Sequence, residues 1–319
     1  MERLKWIDFL RGIAMIAILA FHTEVYYKEY NISPYYLYTT NAIILFYIIS
    51  GYLFYRTPAI DSRKKIKNIA RQLLMPYFIF TSLIYVPKLL IRNETVDYQQ
   101  IIVNILLGRA SWFIAALIIA EMAFVLLLRI TSAQHKWLLP LSIFCFIIYF
   151  VIPYNQYNYW QWQDALLSVF FLYIGYTLNQ YQHYFKSLDR PVYTLLLSIT
   201  IIILKIYEYH IDPPTLNIAI NQPLLFFIDS TVWVLLIISL VRHIPSCSII
   251  EWTGQHCIVY YFLAGGCPLI TSMVMNKIGF TYNDNSAHYF FTLLLVYLMA
   301  TVITYGIYKY FPFITGKTI

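Results

Sequence analysis

"RGIAMIAILAFHT" (residues 11–23) carries an arginine and a histidine in one apolar run. On an α-helix, the step from Arg11 to His22 is about 20° more than three full turns, so both side chains lie on one face. They are separated along the helix axis by roughly 16 Å, about half the thickness of the hydrocarbon core of a membrane. A polar stripe facing lipid is unfavourable. The stretch therefore predicts a membrane-spanning helix whose polar face lines a bundle interior or a wet cavity.

The composition of the whole chain also points to lipid as its solvent. Of the 319 residues 60% are hydrophobic and 12% are charged, about half the charged fraction of a typical soluble domain. The net charge of +7 comes from lysines and arginines that lie between apolar runs. We therefore assign that charge to membrane topology and expect no nucleic-acid partner. The four cysteines show no paired spacing, so we expect neither a metal site nor a disulfide framework.

Apolar runs long enough to cross a bilayer predict an all-α, polytopic bundle of about ten transmembrane helices. The ninth run contains Gly265, Gly266 and Pro268, which predicts a kink or a break. No internal repeat or linker divides the chain, so residues 1–319 are interpreted as one integral-membrane domain. The predicted cores are 6–26, 37–55, 72–91, 111–128, 137–153, 164–181, 191–208, 222–241, 249–275 and 288–311.

The loops predict the orientation of the bundle. With the amino terminus inside, 15 of the 22 lysines and arginines fall on the inner side and Arg11 lies within the membrane. This bias follows the positive-inside rule, and with an even number of spans it predicts that both termini are cytoplasmic. The six cations on the predicted outer side are Lys28, Lys88, Arg92, Arg109, Lys205 and Lys277.

The two polar groups of the opening stretch suit different chemical tasks. An arginine that never deprotonates suits a phosphate or another fixed anion. An imidazole suits proton transfer near neutral pH. A substrate with an anionic head on the cytoplasmic side and a reactive tip deeper in the membrane would use both. The alternative is structural, with an Asp8–Arg11 pair reaching back to the interface and His22 bonded to neighbouring backbone.

Five stretches in order resemble the membrane acyltransferase-3 family, whose members are integral-membrane O-acyltransferases. The first is "DFLRGIAMIAILAFH" (8–22), with ten residues between the arginine and the histidine. The others are "FYIISGYLFYR" (46–56), "RQLLMPYFIF" (71–80), "SWFIAALIIAEM" (111–122) and "FFLYIGYTL" (170–178). The resemblance covers most of residues 1–180 and agrees with the number of predicted helices.

The resemblance implies transfer of an acetyl group from cytoplasmic acetyl-CoA to a hydroxyl of a cell-surface or lipid-linked glycan. It further implies an enzyme integral to the plasma (inner) membrane of a bacterium, with membrane lipids around it and no metal. Arg11 and His22 would be catalytic, with His22 acting as general base or accepting the acetyl group itself. The general base is favoured because no second nucleophile is evident. Acyl-CoA or substrate binding is predicted for Arg71, Ser50, Gly51, Tyr52, Trp112 and Glu121.

Several assignments stay open at this stage. Ser111, Trp112 or the backbone near Ser50 and Gly51 would supply the oxyanion donor. Glu121 and Asp229 are intramembrane acids that either line a substrate path or pair with another helix. Glu24 is a weaker second candidate for the catalytic site. The aromatic and amide-rich stretch "YNQYNYWQWQ" (154–163) suits a glycan, or forms an ordinary interfacial aromatic belt.

One stretch departs from the family pattern. "GQHCIVYYFLA" (254–264) has Cys257 and Ala264 where family members often have serine and histidine. Two other functions therefore stay in view. One is a transporter or flippase of a small anionic or lipid-linked substrate, which would favour inverted repeats and paired broken helices. The other is a non-catalytic scaffold, which intact Arg11 and His22 disfavour.

Overall fold

A computed structural model describes residues 4–28, 33–55, 61–92, 94–154, 157–184, 190–245, 247–283 and 285–316. Apart from one short hairpin, β1 (Thr215–Leu216) with β2 (Ala219–Ile220), these residues form helices and their connections. The first half holds α1 (Lys5–Lys28), α2 (Thr39–Phe54), α3 (Ser62–Ile69), α4 (Met75–Ile91), α5 (Tyr98–Leu106), α6 (Trp112–Ile130) and α7 (His135–Val151). The second half holds α8 (Trp162–Gln180), α9 (Pro191–Ile211), α10 (Pro223–His243), α11 (Ser248–Gln255), α12 (Cys257–Leu263), α13 (Cys267–Lys277) and α14 (Ser286–Tyr310).

The prediction of an all-α membrane bundle is confirmed. A described helix lies on each of the ten predicted segments. By length and apolar composition, six described helices can cross a membrane, or seven if the bent pair α12 and α13 forms one span. α2 and α7 are apolar but shorter. The number of spans and the side of the termini therefore remain predictions, and residues 1–3 and 317–319 lie outside the described part of the chain.

The predicted break in the ninth segment is confirmed, and the segment is divided further than expected. α12 and α13 meet at an angle of 47° across residues 264–266, where Gly265 and Gly266 precede Pro268. A second interruption at His256 separates α11 from α12. α3 and α5 were not predicted, because each is a short amphipathic helix inside a segment whose charge or length marked it as a loop.

Two helix pairs approach each other through glycines. A Cβ atom on Gly254 of α11 would overlap the Asp8 carbonyl of α1, and one on Gly12 would overlap the Ile250 carbonyl of α11. Gly51 of α2 and Gly175 of α8 make the same kind of crossing, against backbone atoms of Leu172 and Ile48. Small residues let helix backbones pack closely in membranes. These crossings hold α11 against the amino-terminal half of α1 and α8 against α2.

A π-helical segment, Ala70–Leu74, joins α3 to α4 without a break. It coincides with the Arg–Gln–Leu–Leu part of the family-like stretch at residues 71–80. π-Helical insertions are rare and occur often at functional sites. Here the π-helical segment connects α3, a basic helix of the kind typical of the cytoplasmic side, to the apolar helix α4.

Candidate active site

Two cavities lie along α1, one near each end of its polar stripe. The first, which we name the His22 chamber, has a volume of ≈ 410 Å³ and is lined by described residues of α1, α4, α12 and the start of α6. The second, the Arg11 chamber, has a volume of ≈ 300 Å³ and is lined by α1, α2, α3, α6 and α12. The predicted stripe from Arg11 to His22 therefore faces cavities within the bundle, as the cost of exposing it to lipid requires.

The chambers share a wall made by Phe113 and Tyr261, which line both of them. The two rings pack with their centroids 5.2 Å apart. The Ser111 hydroxyl donates to the Tyr261 hydroxyl at 3.2 Å, on the side of the His22 chamber. Phe113 belongs to the first turn of α6, whose backbone N–H groups have no partner within the helix. The wall thus combines an aromatic pair with hydrogen-bond donors.

His22 is half-buried in its chamber and held by ring packing. Its imidazole packs on Phe21, with centroids 5.6 Å apart, and stacks on Tyr26 at 6.3 Å. Within the described residues no hydrogen bond occupies either ring nitrogen. This does not match the structural alternative of a histidine bonded to neighbouring backbone. Both nitrogens are available to a hydroxyl that enters the chamber.

Hydroxyl groups surround His22 within the same chamber. Tyr35, Tyr85, Thr81 and Ser111 all line it. Tyr35 lies in the short 3-10 helix that connects α1 to α2, and burial raises its pKa above the usual value. The Tyr35 hydroxyl therefore stays protonated at any physiological pH and acts as a neutral hydrogen-bond donor or acceptor.

The Arg11 chamber contains a buried polar network on its α2 and α6 side. The Glu121 carboxylate accepts a hydrogen bond from Ser50 and forms an ion pair with Lys65 of α3 at 3.1 Å. Lys65 also lies 3.8 Å from the centroid of the Phe54 ring. Because Lys65 neutralises Glu121, Arg11 supplies the remaining positive charge among the described residues that line this chamber.

Arg71 lies in the π-helical segment beside the Arg11 chamber. Its neighbour Gln72 lines the chamber, whereas Arg71 does not. The Arg71 Nε atom is buried and has no hydrogen-bond partner in the described structure. Gly316, which follows the 3-10 helix Pro312–Thr315, packs on the Arg71 carbonyl and also lines the chamber. Arg71 thus lies at the edge of the chamber, and among the described residues its Nε–H is an unused hydrogen-bond donor.

The comparison with known families decides the class of this site. The family model for an acyltransferase domain, acyltransferase-3, matches residues 4–309. The chain belongs to the acyltransferase-3 family. No curated protein and no solved structure matches it significantly. With its several apolar helices, it is a multi-pass membrane acyltransferase.

The structure brings most of the predicted site residues of this acyltransferase to the two chambers. His22, Trp112 and Ser111 line one chamber, while Arg11, Ser50 and Glu121 line the other. The two groups of candidate oxyanion donors are thereby separated. Ser111 and Trp112 lie beside His22, and Ser50 lies with Arg11. In the described structure no group of three potential ligands could hold a metal ion.

Besides Arg71, two predicted binding residues lie outside both chambers. Gly51 faces the Leu172 backbone at the crossing of α2 and α8, so its contacts are those of helix packing. Tyr52 packs edge to face on Trp6 with centroids 5.2 Å apart and reaches Gln182 at 3.5 Å. Gly51 and Tyr52 were predicted together with Ser50 because the three form the family-like Ser–Gly–Tyr motif. On a helix, however, consecutive residues point in different directions.

The two other acids considered from sequence take part in buried networks instead. Glu24 accepts from the Tyr38 hydroxyl at 3.3 Å and from the Ser33 backbone at 3.4 Å, which ties α1 to the following connection. Asp229 pairs with Lys205 at 2.8 Å and accepts from Asn41 at 2.9 Å. Neither acid lines the chambers. For Asp229 this matches the structural alternative of pairing with another helix.

The aromatic stretch 154–163 is divided between packing and surface, and residues 155 and 156 lie outside the described part. Trp160 packs on Tyr77 with centroids 5.3 Å apart, and its backbone N–H bonds to Leu107. Tyr159 is exposed and lies 5.2 Å from the guanidinium of Arg109, which lines the His22 chamber. One tyrosine of the stretch is therefore next to this chamber, and both interpretations of the stretch, a glycan-binding surface and an interfacial belt, stay predictions.

Several site residues were missed from sequence. Phe113 and Tyr261 form the shared wall, Lys65 pairs with Glu121, and Lys88 and Arg109 line the His22 chamber. Tyr261 stands within the family-like stretch at 254–264, which was the available signal. In that stretch Cys257 lines the Arg11 chamber, and Ala264 is buried beside Gly265 of the His22 chamber.

Proposed function

We propose that this acyltransferase moves an acetyl group from cytoplasmic acetyl-CoA to a hydroxyl of a cell-surface or lipid-linked glycan. The observation that supports this is the pair of chambers at the two ends of one helix face. One contains the fixed cation Arg11, the other contains the imidazole of His22, and they meet at Phe113 and Tyr261. The proposed location is the plasma membrane of a bacterium, where donor and acceptor lie on opposite sides.

The Arg11 chamber suits the donor. Coenzyme A carries phosphates that need cations near water and a thin pantetheine arm that fits a narrow apolar passage. Arg11 lines this chamber and offers charge to the phosphates, and Arg71 at the chamber edge adds a second cation nearby. Asn68 and Gln72, on α3 and the π-helical segment, add neutral amides to the lining. The aromatic wall is the place where the thioester would reach the second chamber.

The His22 chamber suits the acceptor and the proton transfer. A glycan hydroxyl bonded to His22 loses its proton to the imidazole as its oxygen attacks the thioester carbonyl. The carbon–sulfur bond then breaks, and the imidazolium returns the proton to the leaving thiolate. The products are an acetyl ester and free coenzyme A. The Tyr261 hydroxyl and the first N–H groups of α6, at the wall between the chambers, are the proposed donors to the oxyanion.

The test uses membranes that contain the wild-type protein, His22→Ala or His210→Ala at matched protein levels. His210 is an exposed histidine at the end of α9 and serves as the control. Acetyl-labelled coenzyme A is supplied, and the label is followed into glycan and lipid-linked fractions. We expect label with the wild type and His210→Ala, and none with His22→Ala. Transfer that persists in His22→Ala would remove His22 as the base. Absence of label from all three, with a competent acceptor present, would contradict the proposed function.

A further inference from the structure

The His22 chamber has an excess of positive charge. Lys88 at the end of α4, Arg92 after it and Arg109 before α6 all line the chamber, and Glu94 is the one acid among its described lining residues. Three cations against one carboxylate leave a formal excess of two positive charges. Arg92 pairs with Glu94 at 3.4 Å. In the described structure no carboxylate forms an ion pair with Lys88, whose Nζ lies close to Gly265.

The convergence of these cations runs against the charge distribution of the chain. The predicted outer side has six lysines and arginines, compared with fifteen inside. Of those six, Lys205 is bound by the carboxylates of Glu208 and Asp229, and Lys28 lies 3.0 Å from the Tyr282 ring centroid. Three of the remaining four line this chamber. Topology alone disfavours cations on this side, so a topological role does not explain their position.

One of these cations is also connected to His22 through an aromatic ring, and another lies beside an exposed tyrosine. The Arg92 guanidinium lies 5.5 Å from the Tyr26 ring, which stacks on His22. Across the mouth, Arg109 lies beside exposed Tyr159. The volume of ≈ 410 Å³ is within the roughly 300–1,000 Å³ typical of small-molecule sites. The chamber thus contains aromatic rings and hydroxyl groups that suit a sugar. It also contains positive charges that suit an anion.

From this geometry we infer that the acceptor carries an anionic group, a phosphate or a carboxylate, which Lys88, Arg92 and Arg109 bind at the mouth while a sugar hydroxyl reaches His22. The inference rests on the proposed function, in that it describes the acceptor of the same reaction. Cations in a partly enclosed cavity attract anions more strongly than cations in bulk water do. A phosphate would mark a lipid-phosphate-linked or phosphorylated sugar, and a carboxylate would mark an acidic sugar.

The test measures binding, which needs no turnover. The purified protein is placed in nanodiscs of zwitterionic phosphatidylcholine and titrated by calorimetry with glucose 1-phosphate, glucuronic acid and glucose. We expect at least one anionic sugar to bind about tenfold or more tightly than glucose, as expected for a charged hydrogen bond. The preferred anion identifies the source of the charge. Equal binding of glucose and both anionic sugars would overturn the inference.

Variants then identify the residues responsible. Lys88→Gln and Arg92→Gln should each weaken the anionic sugar by about tenfold, and Lys88→Arg should retain its binding. Lys277→Gln, an exposed cation on the same predicted side, is the control and should bind as the wild type does. Unchanged binding in both glutamine variants would overturn the inference, because the cations would then serve lipid headgroups or structure.

A titration with coenzyme A separates this inference from the proposed function. The affinity for coenzyme A should be unchanged in Lys88→Gln and weakened in Arg11→Gln. Loss of coenzyme A binding in Lys88→Gln would assign the cations to the donor and overturn the inference, even if acetyl transfer still depends on His22. Conversely, failure of the labelled transfer assay would leave the sugar titrations interpretable as binding data.

Discussion

Arg11 and His22 share one face of α1 but open into different chambers. The spacing of the two residues predicted the shared face, while the positions of Phe113 on α6 and Tyr261 on α12 divide the space along that face into two chambers. At the residue scale the proposed function gives each side chain one task. Arg11 would hold the charged part of the donor at a distance from the reaction, and His22 would move a proton at the reacting atoms.

Substitution of Arg11 tests the task assigned to it. Arg11→Gln should raise the KM for acetyl-CoA by roughly tenfold or more, because a charged hydrogen bond to phosphate is lost. It should leave the KM for S-acetylpantetheine, which lacks the nucleotide, close to the wild-type value. Steady-state kinetics with the two donors measures both. Arg129→Gln, an exposed arginine in the last turn of α6, is the control. An equal loss with both donors would mean that Arg11 acts on the reaction or the fold instead.

The hydroxyl of Tyr261 can be tested against that of its neighbour. Tyr261→Phe removes the partner of Ser111 at the wall and should lower kcat by about a hundredfold or more if this hydroxyl stabilises the oxyanion. Tyr260→Phe removes a hydroxyl bonded to Thr301, which lies outside both chambers, and should leave kcat largely unchanged. Single-turnover rates of labelled acetyl transfer compare the two. Similar rates for both variants would exclude Tyr261 from the oxyanion site.

At the scale of elements, glycine crossings set the distance between helices. Gly175→Ala would push a methyl group into the Ile48 carbonyl, whereas Gly306 of α14 has no heavy atom within 4 Å of its Cβ position. Forced overpacking destabilises by typically about 1–3 kcal/mol. Gly306→Ala should be neutral or stabilising, by up to about 1 kcal/mol, because alanine favours the helix. The midpoint of thermal aggregation in detergent measures both variants, and equal midpoints would show that the α2–α8 crossing tolerates separation.

The carboxyl-terminal turn provides a second matched pair. Gly316 and Gly279 both have positive φ, at 75° and 80°, so alanine incurs a similar backbone penalty at either position, on the order of 1 kcal/mol. Only at Gly316 would the new Cβ atom also press on the Arg71 backbone beside the Arg11 chamber. We therefore expect Gly316→Ala, but not Gly279→Ala, to raise the KM for acetyl-CoA. The same KM in both variants would show that this contact does not shape the donor site.

The elements show what local pattern predicts and what it leaves out. Apolar runs predicted the position of every long described helix, because burial in lipid imposes length and composition on each helix separately. The break at Gly265 and Gly266 was also predicted from local sequence, because these glycines and Pro268 interrupt the apolar run. The wall at Phe113 and Tyr261 and the pairing of Lys65 with Glu121 were not, because they join residues that are far apart in sequence. The pattern of apolar residues within one helix does not determine which other helix it contacts.

At the scale of the whole molecule, the uneven distribution of lysine and arginine follows the same axis as the line from the Arg11 chamber to the His22 chamber. The Arg11 chamber is bordered by α3, which belongs to the basic stretch 63–71, while the His22 chamber is bordered by Lys88, Arg92 and Arg109. A net excess of lysine and arginine predicts that the first side is cytoplasmic. With this orientation the proposed donor and acceptor sites would open on different sides, so the proposed function predicts transfer across the membrane.

That axis can be tested directly with engineered cysteines. Lys277→Cys, exposed at the end of α13, should react with a membrane-impermeant maleimide added to intact cells. Lys64→Cys, exposed on α3, should react only after the membrane is permeabilised. The unmodified chain is the control for its four native cysteines, none of which forms a disulfide in the structure.

The reverse labelling pattern would place the His22 chamber on the cytoplasmic side and Arg11 on the outer side. Acetyl-CoA would then have to enter through the chamber that contains the base, and the phosphates would meet Lys88 and Arg109 instead of Arg11. The family assignment would stand in that case, but transfer across the membrane and the charged acceptor would both be lost. Labelling in the expected pattern, by contrast, leaves the wall of Phe113 and Tyr261 as the barrier that the acetyl group must cross.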